Sequence, residues 1–207
     1  SEYVREIVQD RKRDPQDDLI TYLTRAESGG KTLTDDEVVA TTILLLFAGH
    51  ETTTKLIANG VLELLRHPEQ FELLREDSSL ARSAVEEILR YQGTSKAVTR
   101  TVIEDFELCD RRIEAGDRVY LSQAAANRDG RKFDKPEQFD ITRGTTEHLG
   151  FGHGSRHCLG APLARLETRI AFPALVRAFP DMELATDELN WVRSPLVRGL
   201  EELPVRI

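Results

Sequence analysis

The sequence predicts a mainly α protein with small β-sheets. A long segment from Asp35 to about Arg66 opens on a capping signal and meets no breaker until His67-Pro68. Further helical patterns lie on both sides of it, whereas β-favouring runs are short and concentrate between Ala97 and Leu121 and near the carboxy terminus. A chain of 207 residues is long enough for one large domain or two small ones around a sizeable core.

Ser1 to Arg13 reads as the tail of a helix, broken by Asp14-Pro15. A second helical segment runs from about Asp18 to Glu27, and Ser28-Gly29-Gly30 ends it. Thr34-Asp35-Asp36-Glu37 is a capping box, in which the threonine hydroxyl serves an orphan donor and the glutamate reaches back. The helix it opens spans about 48 Å at 1.5 Å per residue. Because Ile43 to Ala48 are apolar on every face, its middle is expected to be buried on all sides and to cross the protein's centre. Pro68 to Glu76 and Ser79 to Tyr91 read as surface-packed helices, the second with apolar Ala81, Ala84, Val85, Ile88 and Leu89. Phe106 to Cys109 and Arg118 to Leu121 then flank the turn Ala115-Gly116-Asp117 as a small sheet. Asn127 to Arg143 is a charged loop anchored by Phe133 and Phe139. Leu159 to Phe179 is helical, and short strands punctuated by prolines finish the chain.

Charge and cysteine usage narrow the function. A net charge of −8 argues against a nucleic-acid surface. No apolar run approaches the length of a membrane span, and no basic, apolar leader opens the chain. Cys109 and Cys158 form no disulfide framework, which suits a reducing compartment and points to the cytoplasm. Cys109 has no motif around it and reads as a buried small hydrophobe.

The chemistry concentrates in Phe151-Gly152-His153-Gly154-Ser155-Arg156-His157-Cys158-Leu159-Gly160. One cysteine stands between a glycine turn and the helix that Pro162 opens. Unpaired N–H groups and the helix dipole stabilise an anion there. Gly152 and Gly154 permit positive φ, Gly160 leaves room for a flat ligand, and Arg156 offers a positive charge to an anionic cofactor. A bland alternative is a structural cysteine beside a glycine turn. Within the long helix, Ala48-Gly49-His50-Glu51-Thr52-Thr53-Thr54 puts glycine and three threonines where helix continuity is needed. Glycine opens a groove and an acid beside an alcohol makes a proton relay, although three threonines could merely kink the helix. His50 reads as a packed or hydrogen-bonded histidine. Glu87-Ile88-Leu89-Arg90 sets opposite charges three apart, by default a solvated pair.

Taken together these segments resemble the cytochrome P-450 family of haem-thiolate monooxygenases. The cysteine segment follows its F-G-x-G-x-[H/R]-x-C-x-G loop, the helix segment its [A/G]-G-x-[D/E]-T-[T/S], and Glu87 to Arg90 its E-x-x-R. The resemblance implies a cytochrome P-450 fold and haem b, with Cys158 as axial ligand of the iron. It implies Arg156 and Arg100 as propionate partners, Gly152 and Gly160 as cofactor-binding glycines, and Glu51 and Thr52 as the proton-delivery pair. Glu87, Arg90 and Arg143 would form a buried network for folding and haem retention. Leu44, Leu45, Ala48, Ala97, Val98, Leu196 and Val197 would line the substrate site. Asn127-Arg128-Asp129 matches a typical bacterial segment, with Gly130 where proline is usual and Thr94 near another expected proline.

The implied activity is insertion of one oxygen atom from O2 into a small organic substrate, apolar or a natural product, with electrons from a ferredoxin and its reductase. The resemblance covers nearly all of residues 1–207 yet corresponds to the carboxy-terminal half of a family member, a single partial domain. A cleaved or gapped enzyme, a split protein with a separate amino-terminal half, or a non-catalytic fragment would each explain this. The competing class is a non-catalytic partner, for example a glycosyltransferase activator, and retention of Cys158, Glu51 and Thr52 argues against it. A cysteine-nucleophile hydrolase would need a histidine base, but no motif arranges His153 or His157 into a triad.

Overall fold

A computed structural model describes residues 2–207, with Ser28 described by its backbone alone. Two compact units result, Ser1–Glu51 and Thr52–Ile207. In the first, α1 spans Glu2–Arg13, with Ser1 outside the described residues, and ends on three basic side chains that suit the negative end of its dipole. Helix α2, Leu19–Arg25, is capped by Asp18, whose carboxylate accepts the Thr21 N–H at 2.9 Å. It stops two residues short of the expected Glu27, because Glu27 pairs with Thr32 in a hairpin of β1 (Glu27–Ser28) and β2 (Lys31–Thr32). Gly29 and Gly30 supply the positive φ of that turn.

Helix α3 runs over Asp35–Arg66. Its capping box is formed: Thr34 N–H donates to Glu37 Oε2 at 2.8 Å and Glu37 N–H to Thr34 Oγ1 at 3.3 Å. Val38 and Val39 of its first turns pack with Val8 of α1 as the small core of this unit. The all-round burial expected of Ile43 to Ala48 does not occur. Leu44, Leu46 and Phe47 are 63%, 68% and 65% exposed, and only Leu45 is half-buried. An all-apolar segment demands a covering surface, but periodicity does not say which residues supply it, and among the described residues none does.

In the second unit α3 continues to Arg66, followed by α4 (Pro68–Glu76), a 3-10 turn (Ser78–Leu80) and α5 (Ala81–Gln92). The single helix expected from Ser79 is thus a tight turn and then a helix, with Asp77 capping the turn through the Ser79 N–H. The small-sheet region also differs from expectation. β3 (Ala97–Thr101) pairs with β6 (Arg118–Ser122), while β4 (Phe106–Leu108) pairs with β5 (Arg111–Ile113), all antiparallel. The inner turn is made by Cys109 and Asp110 at φ 49° and 60°. No glycine marks that turn, so it escaped the sequence pattern, and Cys109 is exposed on it rather than buried. Short α6 (Gln123–Ala126), then α7 (Ala161–Ala178) and a final pair, β7 (Glu183–Leu184) with β8 (Val205–Arg206), complete the unit.

Its core lies where Ala84, Val85, Ile88 and Leu89 of α5 meet Leu56 and Leu64 of α3, Phe71 and Leu74 of α4, and Phe172 and Val176 of α7. Gly60 is the point of closest approach. A Cβ built there would stand 2.4 Å from Phe172 Cζ and 3.0 Å from Ile88 Cδ1. Below this core Glu87 is buried with Arg90, both side chains at 0% exposure. Arg90 donates through Nε and Nη2 to the two Glu87 oxygens, each at 2.8 Å, and through Nη1 to the carbonyls of Asn127 (2.9 Å) and Pro136 (2.8 Å). Arg143 Nε reaches Glu87 Oε2 at 3.2 Å, and the Asp140 N–H donates to Glu87 Oε1 at 2.9 Å. The exposed pair that spacing alone suggests is therefore a buried network tying the 127–143 segment to α5.

Two variants test this packing. Gly60→Ala should destabilise the protein by about 1–3 kcal/mol in urea unfolding, because the aromatic ring must move. Glu87→Gln should cost about 3–5 kcal/mol by the same measure, since the buried Arg90 and the half-buried Arg143 lose their counter-charge; a change below one kcal/mol would show that the network is not what holds the 127–143 segment.

Candidate active site around Cys158

The segment before α7 is built by backbone geometry. Gly152 and Gly154 sit at φ 74° and 73°, a 3-10 turn covers Gly154–Arg156, and the Cys158 N–H donates to the Phe151 carbonyl at 2.9 Å, closing the loop on itself. Cys158 then accepts the Ala161 N–H at 3.3 Å through its carbonyl, at the entry to α7, with Pro162 in the first turn. Residues 153–160 are all exposed, Cys158 and Arg156 among them. Gly160 has an ordinary φ of −80°, so its value lies in space: a Cβ there would stand 3.9 Å from Cys158 Sγ.

Side chains to which the sequence assigned no role carry this loop. Gln123 accepts the Ser95 hydroxyl and donates to the Leu149 carbonyl, both at 2.5 Å, joining β3's approach to the loop. Asn127 accepts the Leu149 N–H at 2.7 Å through Oδ1 while its carbonyl receives Arg90, so the Glu87 network reaches the loop through one residue. Glu86, adjacent to Glu87, accepts Arg165 Nε at 2.6 Å and Nη2 at 2.9 Å. It also meets His148 Nε2 at 2.9 Å. The Gly150 N–H donates to His148 Nδ1 at 3.0 Å, so the ring proton belongs on Nε2, facing Glu86. Burial by itself pushes the Glu86 carboxyl up, but the hydrogen bonds from His148 and Arg165 outweigh it and hold the group at about 2, from an ordinary 4.5. The available signal was the tandem Glu86-Glu87 set among the apolar Ala84, Val85, Ile88 and Leu89 of one helix.

The remaining candidates fall into three places. Arg100 lies on β3, exposed, with Nη1 donating to the Thr99 carbonyl at 2.8 Å. Ala97 and Val98 on the same strand neighbour Leu196 and Val197, because Ser95 bridges Val197 and the Lys96 N–H donates to the Leu196 carbonyl at 2.8 Å; all four are half-buried. Leu44, Leu45, Ala48 and Glu51 lie on α3 in the first unit. Thr52 opens the second, its carbonyl accepting the Thr94 hydroxyl at 3.3 Å.

Among the described residues no three His, Cys, Asp or Glu side chains gather as a metal site. Cys158 therefore offers an iron one soft ligand, which fits a cofactor that brings its own other donors, as a porphyrin does. The uncluttered Gly160 and the exposed Arg156 suit a flat, anionic group at the same loop. Among the described residues no helix is long and apolar enough to cross a membrane.

Comparison with known proteins agrees with this geometry. The family model described as Cytochrome P450 matches residues 1–190. Cytochrome P450 107B1 of Saccharopolyspora erythraea is 47% identical over 208 residues, covering 99% of this chain and 51% of that protein. The biotin biosynthesis cytochrome P450 of Bacillus subtilis is 48% identical over 205 residues, covering 98% and 51%. The solved structure of PksS, a cytochrome P450 of the bacillaene polyketide synthase of Bacillus subtilis, aligns with a TM-score of 0.95 at 42% identity, over 99% of this chain and 53% of that one. The chain spans about half the length of the curated relatives it matches. A similarity that runs the length of the chain and includes the cysteine loop leaves one assignment: the chain belongs to the cytochrome P450 family.

Proposed function

We propose that this chain serves a haem-thiolate monooxygenase acting on a small organic substrate, apolar or a natural product. The observation that carries the reading is the exposed Cys158 at the entry to α7, at the end of a loop turned by Gly152 and Gly154 at positive φ. The two compact units are proposed as parts of one partial domain of the family, residues 1–207. In this reading Cys158 would hold the iron of haem b through its sulfur. Arg156 and Arg100 pair with the propionates, and Gly152 and Gly160 let the ring lie against the backbone.

When bound at Cys158, haem would supply the oxygen activation that a monooxygenase needs. Glu51 and Thr52 pass protons from solvent inward. In this reading Ala97, Val98, Leu196 and Val197 of the second unit offer the substrate an apolar lining, and Leu44, Leu45 and Ala48 are the apolar candidates of the first. Glu87, Arg90 and Arg143 keep the 127–143 segment in place beneath the loop. Electrons come from a ferredoxin and its reductase in the cytoplasm, and an amino-terminal half is the partner this reading requires. A second reading, a non-catalytic partner protein such as a glycosyltransferase activator, is favoured by the exposed Leu44, Leu46 and Phe47.

The absorption spectrum of the reduced protein under carbon monoxide tests the assignment. A strongly red-shifted Soret band is expected, and Cys158→Ala should abolish it; a variant that keeps the band would refute ligation by Cys158, and a wild type without haem would favour the partner-protein reading. Thr52→Ala should retain haem while diverting reducing equivalents to peroxide, measured as peroxide formed per NAD(P)H consumed. Fully coupled turnover in that variant would remove Thr52 from proton delivery.

A further inference from the structure

We propose that Glu86, His148 and Arg165 are positioning residues that clamp the loop bearing Cys158, acting on its backbone and on Phe151 rather than on the sulfur. Their importance for chemistry rests on the reading of Cys158 as an iron ligand, but the clamp itself stands on contacts within the chain. The three residues come from α5, from the loop and from α7, 62 and 79 positions apart in the pairs they form. Glu86 is only 3% exposed. A carboxylate so buried is costly unless every oxygen is satisfied, and here both are, by the fork of Arg165 and by His148.

Each arm ends on the loop. His148 holds the Gly150 N–H, and Gly150 tolerates the close approach only because it lacks a Cβ, which would stand 3.0 Å from His148 Nδ1 and 3.1 Å from the Leu89 carbonyl. Arg165 lays its guanidinium 4.6 Å from the centre of the Phe151 ring, and the His148 ring lies 6.3 Å from it on a tilted plane. The Phe151 carbonyl in turn receives the Cys158 N–H at 2.9 Å. A continuous path of contacts thus runs from the buried carboxylate to the cysteine's own amide. Since Glu86 is held at about 2, the clamp stays charged at neutral pH. A buried ion pair is weak evidence of stability but serves well to select one arrangement of a loop.

The test compares wild type with Glu86→Gln and Arg165→Lys. Glutamine keeps the shape but not the charge, and lysine keeps the charge but neither the fork nor the planar stacking. Hydrogen–deuterium exchange of residues 149–160 and the rate of Cys158 alkylation by iodoacetamide are followed together. Both variants should speed loop exchange by about tenfold and change Cys158 alkylation severalfold, while exchange in α4 and α5 and alkylation of Cys109 stay as in wild type. If Glu86→Gln does not fold, Arg165→Lys decides alone, because its side chain is partly exposed. Wild-type exchange in the loop, or equal loosening of the loop and of α4 and α5, would overturn the clamp. The carbon monoxide spectrum of the wild type separates the two ideas: a missing thiolate band defeats iron ligation, whereas loop exchange still decides the positioning.

Discussion

A buried carboxylate must be answered by donors, and at Glu87 that demand organises much of the second unit. Its oxygens take two hydrogen bonds from Arg90, contact with Arg143 and the N–H of Asp140. Arg90 has further N–H groups to satisfy and finds them carbonyls at Asn127, Pro136 and Gln138. An irregular stretch without strand or helix is thereby fixed by one side-chain cluster, because its carbonyls are the acceptors a buried guanidinium needs.

Adjacent positions on a helix point about 100° apart, so neighbouring glutamates on α5 serve different surroundings. Glu87 faces the 127–143 segment and Glu86 faces α7 and the cysteine loop. Asn127 links them, taking Arg90 on its carbonyl and the Leu149 N–H on its side chain. The loop that presents Cys158 is therefore held from its start by polar side chains anchored in the core, while residues 153–160 are exposed.

Local chemistry explains which elements were legible from the residues alone. The Thr34–Glu37 box and Pro68 bound α3 and α4, and both are contacts within a few residues. Positive φ at Gly152 and Gly154 is likewise local. The Cys109-Asp110 turn was not legible, since no glycine marks it and Cys109 is an unusual left-handed residue, and the pairing of β3 with β6 skips over the hairpin between them. Glu86, His148 and Arg165 escaped for a related reason: the tandem Glu86-Glu87 hints at only one of them, and the three become a site only when distant segments meet.

By itself, then, the sequence determined the helical character, the boundaries of α3 and α4, the glycine turn and the one cysteine placed before α7, because capping, backbone freedom and proline restriction act over a few residues. Tertiary structure decided that Glu87 is buried where spacing alone pointed to a solvated pair, that Glu86 joins His148 and Arg165 beneath the loop, and that the apolar face of α3 around Leu44 and Phe47 lies open. Burial is a property of what packs opposite, and no local pattern carries that information.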